Sequence, residues 1–261
     1  MKTKYIVFFD IDHTLYDVHS KKIHTSSIEA IKKLNARKDT LIAIATGRAY
    51  YMLDVLAPIQ AYIDLYITIN GQLIYQNDRI IYDDPMPKAL VKQAKESFKQ
   101  HQLPYGFIGK HTQAIDQFNP RAKALFDKDD LAYPIEDPDF DQHQAVYQMW
   151  SFGDQSTMQK LQAAMKPLKL IPWLSEGFDV IDPHKTKSEG VLRVLKQLKL
   201  NPSQAICFGD GHNDIEMLKA IPTSFAMGQS HPDVLDAANH ITDACDEDGI
   251  YNALKKIKLI D

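Results

Sequence analysis

An apolar run, Tyr5-Ile6-Val7-Phe8-Phe9, ends in Asp10-Ile11-Asp12-His13-Thr14-Leu15. The run reads as a buried strand that delivers two carboxylates to its C-terminal edge. Period-two alternation puts both on one face if the strand stays regular. If the chain leaves the strand here, both can turn toward one pocket. Two close carboxylates repel, so one is normally protonated unless a cation lies between or beside them. The plainer reading is a pair of strand-end aspartates that cap the following turn; three further motifs weigh against it.

The second motif is Ala45-Thr46-Gly47-Arg48, after the apolar run Leu41-Ile42-Ala43-Ile44. The third is Lys187 within Lys185-Thr186-Lys187-Ser188-Glu189-Gly190. The fourth is Phe208-Gly209-Asp210-Gly211-His212-Asn213-Asp214, after Gln204-Ala205-Ile206-Cys207. In order and spacing the four resemble the haloacid dehalogenase-like superfamily of phosphohydrolases, and in particular its Cof-type branch. The pattern of that family is Asp-x-Asp-Gly-Thr, then Thr-Gly-Arg, then a lysine, then Gly-Asp-x-x-Asn-Asp. The resemblance extends over the whole chain, with the middle third matching only in its expected secondary structure.

In the first third, strands are expected at 5–11, 41–45 and 65–69. Between the first two lies a helix whose Ser26 and Glu29 have capping-box spacing, with Ser26 as N-cap. Its Ile28, Ile31 and Leu34 mark one face. A short helix is expected at 50–56, stopped near Pro58, and Asn70-Gly71 is a turn signal after the third strand. The last third repeats the pattern, with helices at 187–199, 215–220 and 251–257 and strands at 205–208 and 224–227. Strands separated by helices predict a parallel sheet with right-handed crossovers.

The middle differs. It holds helices at 87–100 and 156–165, strand-like runs at 105–108 and 146–152, and a hairpin that pairs 168–174 with 178–181 around Ser175-Glu176-Gly177. Hairpins belong to an antiparallel α+β sheet. The expected fold class is therefore α/β: a Rossmann-like parallel-sheet core of residues 1–82 and 184–261, with an α+β cap domain inserted at 83–183. The interval from Asp10 to Thr46 has room for one helix and one strand, and that from Thr46 to Lys187 for a whole domain. Relatives of the β-phosphoglucomutase type carry their cap in the first interval, so that arrangement is set aside.

At 44% hydrophobic and 25% charged, the 261 residues have the makeup of an ordinary soluble globular protein. A net charge of −4 with scattered basic residues gives no sign of a nucleic-acid partner. The two cysteines, Cys207 and Cys245, lack paired spacing and suit a reducing cytoplasm. No signal peptide is evident at the N-terminus, and no apolar run approaches the roughly 18 residues needed to span a bilayer. The expectation is a cytoplasmic protein without a membrane partner.

In open α/β sheets, ligands bind beyond the carboxyl ends of the strands, where the strand order reverses. Asp10, Thr46 and Asp210 each follow an apolar strand and can converge there. The resemblance implies their roles. Asp10 is the expected nucleophile, forming an aspartyl-phosphate and splitting one hard step into two. Asp12 is the expected acid and then base, and its backbone carbonyl also serves the metal. The implied cofactor is Mg²⁺, contacted by Asp10, the Asp12 carbonyl and Asp210, with Asp214 holding metal-bound waters. The expected phosphate-binding set is Ile11, Thr46, the Gly47 amide, Lys187 and Asn213. Thr46 could equally cap a helix, whose first amides favour anions.

Lys187 falls in the first turn of its helix, where the dipole disfavours a cation by about 0.3–1 kcal/mol unless an anion offsets it. Lys185 competes for the same role, and Lys187 is preferred because the Ser188-Glu189-Gly190-Val191-Leu192 that follows it resembles the family's lysine-led helix start. Arg48 reads as half of a structural ion pair. His13 stands where the family has glycine, and it reads as a solvent-facing turn residue; histidine tolerates unusual backbone angles less well than glycine. Asn70-Gly71 and His184 lie near the expected crossings into the middle segment, within reach of the pocket, but each reads first as a plain turn residue.

These readings converge on a Mg²⁺-dependent phosphatase acting on phosphomonoesters of small metabolites. Sugar phosphates are favoured, with the cap selecting among them. A phosphomannomutase-like transfer shares this cap class but needs basic cap residues for a second phosphate. Arg121, Lys123 and Lys128 are available without forming a clear pattern. A non-catalytic phosphometabolite sensor is a third reading, and the complete set of carboxylates and the lysine weighs against it.

Overall fold

The opening apolar run forms β1 (Tyr5–Phe9) in the computed structural model, which describes residues 4–128, 131–174 and 176–261. Ile6, Val7, Phe8 and Phe9 are all fully buried, as a parallel sheet covered on both faces requires. Next come α1 (Thr25–Ala36), β2 (Thr40–Ala45) and β3 (Leu65–Thr68). The expected capping box is absent. His24 is the N-cap residue of α1, its Nε2 3.1 Å from Asp17 Oδ2, and Ser26 Oγ is buried without a hydrogen-bond partner. The helix thus starts two residues early and turns Ser27, Ala30, Ile31 and Leu34 inward, while Ile28 is only half-buried.

Residues 50–56 also depart from expectation, forming two 3₁₀ turns, Tyr50–Met52 and Asp54–Leu56. The Arg48 guanidinium donates to the Met52 carbonyl (3.1 Å), and Leu53 takes φ −93°, ψ 13°. An α-helical ladder cannot continue through such a residue. Beyond β3 an unexpected hairpin, β4 (Leu73–Gln76) with β5 (Arg79–Asp83), extends the sheet. Its turn, Asn77-Asp78, has positive φ at both residues (48° and 60°), the pattern of a type I′ hairpin turn.

Two units divide the chain: Met1–Asp83 with Lys185–Asp261, and Asp84–His184. The second unit contains α2 (Lys88–Gln100), β6 (Tyr105–Ile108), β7 (Gln113–Ile115), α3 (Pro120–Lys128), β8 (Ile135–Glu136), β9 (Gln148–Phe152), α4 (Gln155–Ala164), β10 (Lys169–Leu174) and β11 (Gly177–Ile181). Among the described residues its sheet has the order β8-β7-β6-β9-β11-β10, with every pair antiparallel except β7–β8. Val91, Ala94 and Phe98 of α2 and Leu161 of α4 bury against Tyr105, Phe107, Met149 and Phe178. β10 and β11 form the expected hairpin, from Lys169↔Ile181 to Leu174↔Gly177. Ser175 at its tip, and the side chain of Arg121, lie outside the described residues. Strands as short as β7 and β8 offer too few positions for alternation to show.

The first unit resumes with α5 (Lys187–Leu198), β12 (Ala205–Gly209), α6 (Ile215–Ala220), β13 (Thr223–Ala226), β14 (His240–Ile241) and α7 (Gly249–Lys256). Among the described residues its sheet runs β14-β13-β12-β1-β2-β3-β4-β5, parallel up to β3 and antiparallel at β4 and β5. The strand order reverses around β1. Phe9, Phe208 and Phe225 are in register across three strands, their rings stacked at 5.1 and 5.0 Å. This stack aligns the ends of β1 and β12, and the Asp10 N–H continues their ladder onto the Phe208 carbonyl (3.1 Å). No helix among the described residues is long and apolar enough to cross a membrane.

Candidate active site

Asp10 leaves β1 buried, and Lys187, the first residue of α5, meets it with Nζ 2.6 Å from Oδ1. The same ammonium donates to Asp214 Oδ1 (2.8 Å), and Lys187 is 1% exposed. Thr186 caps α5 by accepting from the Glu189 N–H (3.3 Å), which sets the turn that carries the lysine inward. Asp214 is fully buried, and its Oδ2 accepts from the Asp210 and Gly211 N–H groups (3.1 and 3.0 Å). Three of its four lone-pair directions are thus occupied. Asp210, half-buried, accepts at Oδ1 from the Thr14 hydroxyl (3.1 Å).

Asp12 faces elsewhere. Arg48 grips it as a fork, Nη2 2.6 Å from Oδ1 and Nε 2.8 Å from Oδ2. Between the two aspartates and this turn, the Ile11 carbonyl accepts from the N–H groups of Thr14, Leu15 and Tyr16, and the Ile11 side chain is fully buried. His13 adopts φ +56°, the left-handed angle that a glycine would take without strain.

Thr46 is buried after β2. Its hydroxyl oxygen accepts from the Arg48 N–H (3.1 Å), and its own O–H remains available to donate. No α-helix follows Gly47, so an anion here would meet turn amides and not a helix N-terminus. Asn213 lies against the same loop, with Nδ2 3.5 Å from where a Cβ on Gly47 would stand.

Carboxylate oxygens of Asp10, Asp210 and Asp214 lie within 4.8 Å of one another. Burial raises the Asp10 carboxyl to about 7; Lys187 pulls it down while Asp214 and Asp12 push it up. Burial, with Asp10 and Asp214, raises Asp210 well above the usual carboxylate range. Burial works against the charge on Lys187, but Asp10 and Asp214 outweigh it and hold the ammonium charged. One ammonium thus serves three carboxylates, and the cluster is short of positive charge. Hard oxygen donors in that condition fit Mg²⁺. Asp10 and Asp210 retain the freer oxygens.

A family model described as haloacid dehalogenase-like hydrolase matches residues 7–254. The chain belongs to the haloacid dehalogenase-like hydrolases. A Streptococcus pyogenes serotype M6 protein, provisionally named a bifunctional phosphatase/peptidyl-prolyl cis-trans isomerase, is 33% identical over 259 residues. That match covers 98% of this chain but 54% of the relative, so the chain spans about half of that protein's length. The Bacillus subtilis protein YkrA, provisionally named a phosphatase, is 28% identical over 98% of both chains. A solved structure described as the subclass IIB sugar phosphatase BT4131 is 30% identical, with a TM-score of 0.90 over 98% of this chain and 100% of that one.

The haloacid dehalogenase-like motifs bring Asp10, Lys187, Asp210 and Asp214 into one cluster and Thr46, Gly47 and Asn213 into a second group. They leave the Asp12 carboxylate with Arg48. Two residues outside the expected set join the site. Thr14, inside the first motif, holds Asp210. Asn70, read first as a turn residue within reach of the pocket, accepts from Asn213 Nδ2 (3.0 Å).

Proposed function

We propose that this hydrolase is a Mg²⁺-dependent phosphatase acting on phosphomonoesters of small metabolites, sugar phosphates foremost, through an aspartyl-phosphate on Asp10. The observation that carries the reading is the buried Lys187 ammonium shared by Asp10 and Asp214. It pins one Asp10 oxygen and leaves the other to attack phosphorus. Two of its three N–H donors are used in this way, and the third can meet a phosphate oxygen.

As Asp10 attacks, the bond between phosphorus and the ester oxygen breaks, and Asp12 protonates that oxygen. Water then attacks the aspartyl-phosphate with Asp12 accepting its proton, which releases inorganic phosphate and restores Asp10. The Thr46 hydroxyl, the Gly47 amide and the Asn213 amide would hold the phosphoryl oxygens. Mg²⁺ held by Asp10 and Asp210 would neutralise charge on the transferring group. Asp12 must exchange its Arg48 partner for substrate or water during the cycle. Residues 83–183 would then select the substrate, because phosphoryl transfer itself depends on positioning and charge that the first unit supplies. The description of BT4131 as a sugar phosphatase supports the substrate class.

The test is turnover of p-nitrophenyl phosphate and a panel of sugar phosphates, with Mg²⁺ and with EDTA. We expect Mg²⁺-dependent release of inorganic phosphate and a clear ranking among the sugars. Full turnover after metal stripping, or turnover of no phosphomonoester, would refute the reading.

A further inference from the structure

Three successive residues, Ile69 (φ +49°), Asn70 (φ +51°, ψ +38°) and Gly71 (φ +96°), take left-handed conformations directly after β3. A β-branched residue there is a genuine outlier. Each non-glycine residue so placed costs on the order of 1–3 kcal/mol and persists only when its surroundings over-determine it. The surroundings do so. The Ile69 N–H donates to the Arg48 carbonyl and the Asn70 N–H to the Thr46 carbonyl, both at 3.0 Å. Ile69, Asn70 and Gly71 are all buried. On the far side, a Cβ on Gly71 would stand 2.3 Å from the Thr186 carbonyl oxygen, so only glycine lets this turn press against the start of α5.

The product of this strain is the placement of one side-chain amide. Asn70, 1% exposed, accepts at Oδ1 from Asn213 Nδ2 (3.0 Å). The Cβ position of Gly47 lies 3.4 Å from both amide atoms of Asn70 and 3.5 Å from Asn213 Nδ2. A primary amide nitrogen has two hydrogens. With one spent on Asn70, Asn213 is fixed with its NH₂ end beside Gly47, and its second hydrogen is the one a phosphate oxygen can accept. Were the amide free to flip, its carbonyl oxygen would face the anion half the time.

We propose that Asn70 is a positioning residue for phosphate binding: held by the left-handed turn between the Thr46–Arg48 loop and Asn213, it orients the Asn213 amide as a donor. The inference rests on the phosphatase reading and deepens it, because Asn70 touches no reacting atom and acts through Asn213.

The test is a double-mutant cycle with Asn70→Gly and Asn213→Ala. Glycine accepts a positive φ readily, so Asn70→Gly should still fold, its melting temperature lowered by only the few degrees that loss of a buried hydrogen bond costs. It should still lower kcat/KM by about 10- to 100-fold, the scale of a misplaced binding group. Calorimetry with Mg²⁺ and inorganic phosphate should show a matching rise in Kd. The double variant should fall within about twofold of Asn213→Ala alone, because the two substitutions remove one function. Full additivity, or Asn70→Gly with wild-type kcat/KM and wild-type phosphate affinity, would overturn the role of Asn70 while leaving a working phosphatase. A wild-type protein that neither hydrolyses p-nitrophenyl phosphate nor binds phosphate would instead overturn the functional reading, and this inference with it.

Discussion

Asp10 and Asp12 stand two residues apart in one short motif, yet the protein gives them unlike surroundings. Asp10 is buried, tied to a fully buried lysine and crowded by two more carboxylates. Asp12 lies in the turn beyond, its side chain 36% exposed, gripped by an arginine that is itself 27% exposed. The left-handed His13 follows Asp12 and turns the chain back, so that its N–H reaches the Tyr16 carbonyl (2.8 Å). Like groups in unlike environments are how one site obtains two chemical roles. A rigid, buried carboxylate suits attack at a fixed point. A carboxylate at the edge of solvent, on a partner that can move, suits proton exchange.

The sharpest way to break this contrast is to remove each carboxylate in turn. Asp10→Asn should lower kcat by on the order of 10⁴–10⁶-fold with every substrate, the scale seen when a covalent nucleophile is lost. Asp12→Ala should slow a sugar phosphate by about 10²–10⁴-fold. Phosphorylation by acetyl phosphate, whose leaving group needs little protonation, should be far less affected. Steady-state kinetics with both substrates checks the pair, and equal losses for good and poor leaving groups would erase the distinction.

A smaller effect is expected at Arg48. Arg48→Lys keeps the charge but loses the two-pronged grip on Asp12 and the bond to Met52. We expect about a tenfold loss of kcat/KM on sugar phosphates, near the lower end for a misplaced group, with kcat for p-nitrophenyl phosphate nearly unchanged. A loss as large as that of Asp12→Ala would mean that Arg48 itself contacts the substrate.

The smallest effect sharpens the Asp10 side. The raised carboxyls of Asp10 and Asp210 keep protons that the unfolded chain releases near pH 4. The folded state therefore binds more protons between about pH 4 and about pH 7, and metal-free protein should lose stability as pH rises through that window. Mg²⁺ should flatten the slope. Asp64 and Asp116 are also raised by burial, but they respond alike with and without metal, so the difference between the two curves isolates the cluster. Melting in EDTA at pH 5 and pH 7.5 should show an extra fall of about 2–6 °C that Mg²⁺ abolishes. Parallel curves would show that the cluster does not hold the ion.

What was legible in advance follows the length and regularity of the signal. Strands β1, β2 and β12 are unbroken apolar runs, so their ends, and with them Asp10, Thr46 and Asp210, could be placed from the sequence. Lys187 could be chosen over Lys185 from the helix start it leads. Ser26-Ser27-Ile28-Glu29 misled, because the His24–Asp17 pair starts α1 earlier than the capping box does. Tyr50–Met52 reads as the start of a helix until Arg48 draws the Met52 carbonyl away. Asn70 was the least legible. Its place depends on a strained backbone angle and on a partner far along the chain, and neither leaves a periodic trace. In the second unit, the short β7 and β8 and helix α3 escaped for want of length or a clear pattern.

One measurement bears most directly on the division of labour between the two aspartates: rapid-quench mass spectrometry of the protein mixed with acetyl phosphate and Mg²⁺. On the proposed roles, Asp12→Ala keeps the nucleophile and lacks the base for the second step, so a phosphoryl adduct should accumulate on Asp10. In Asp10→Asn no adduct should form. An adduct on any other residue, or none in Asp12→Ala while the wild type turns over, would contradict the assignment of Asp10 as nucleophile and Asp12 as acid and base.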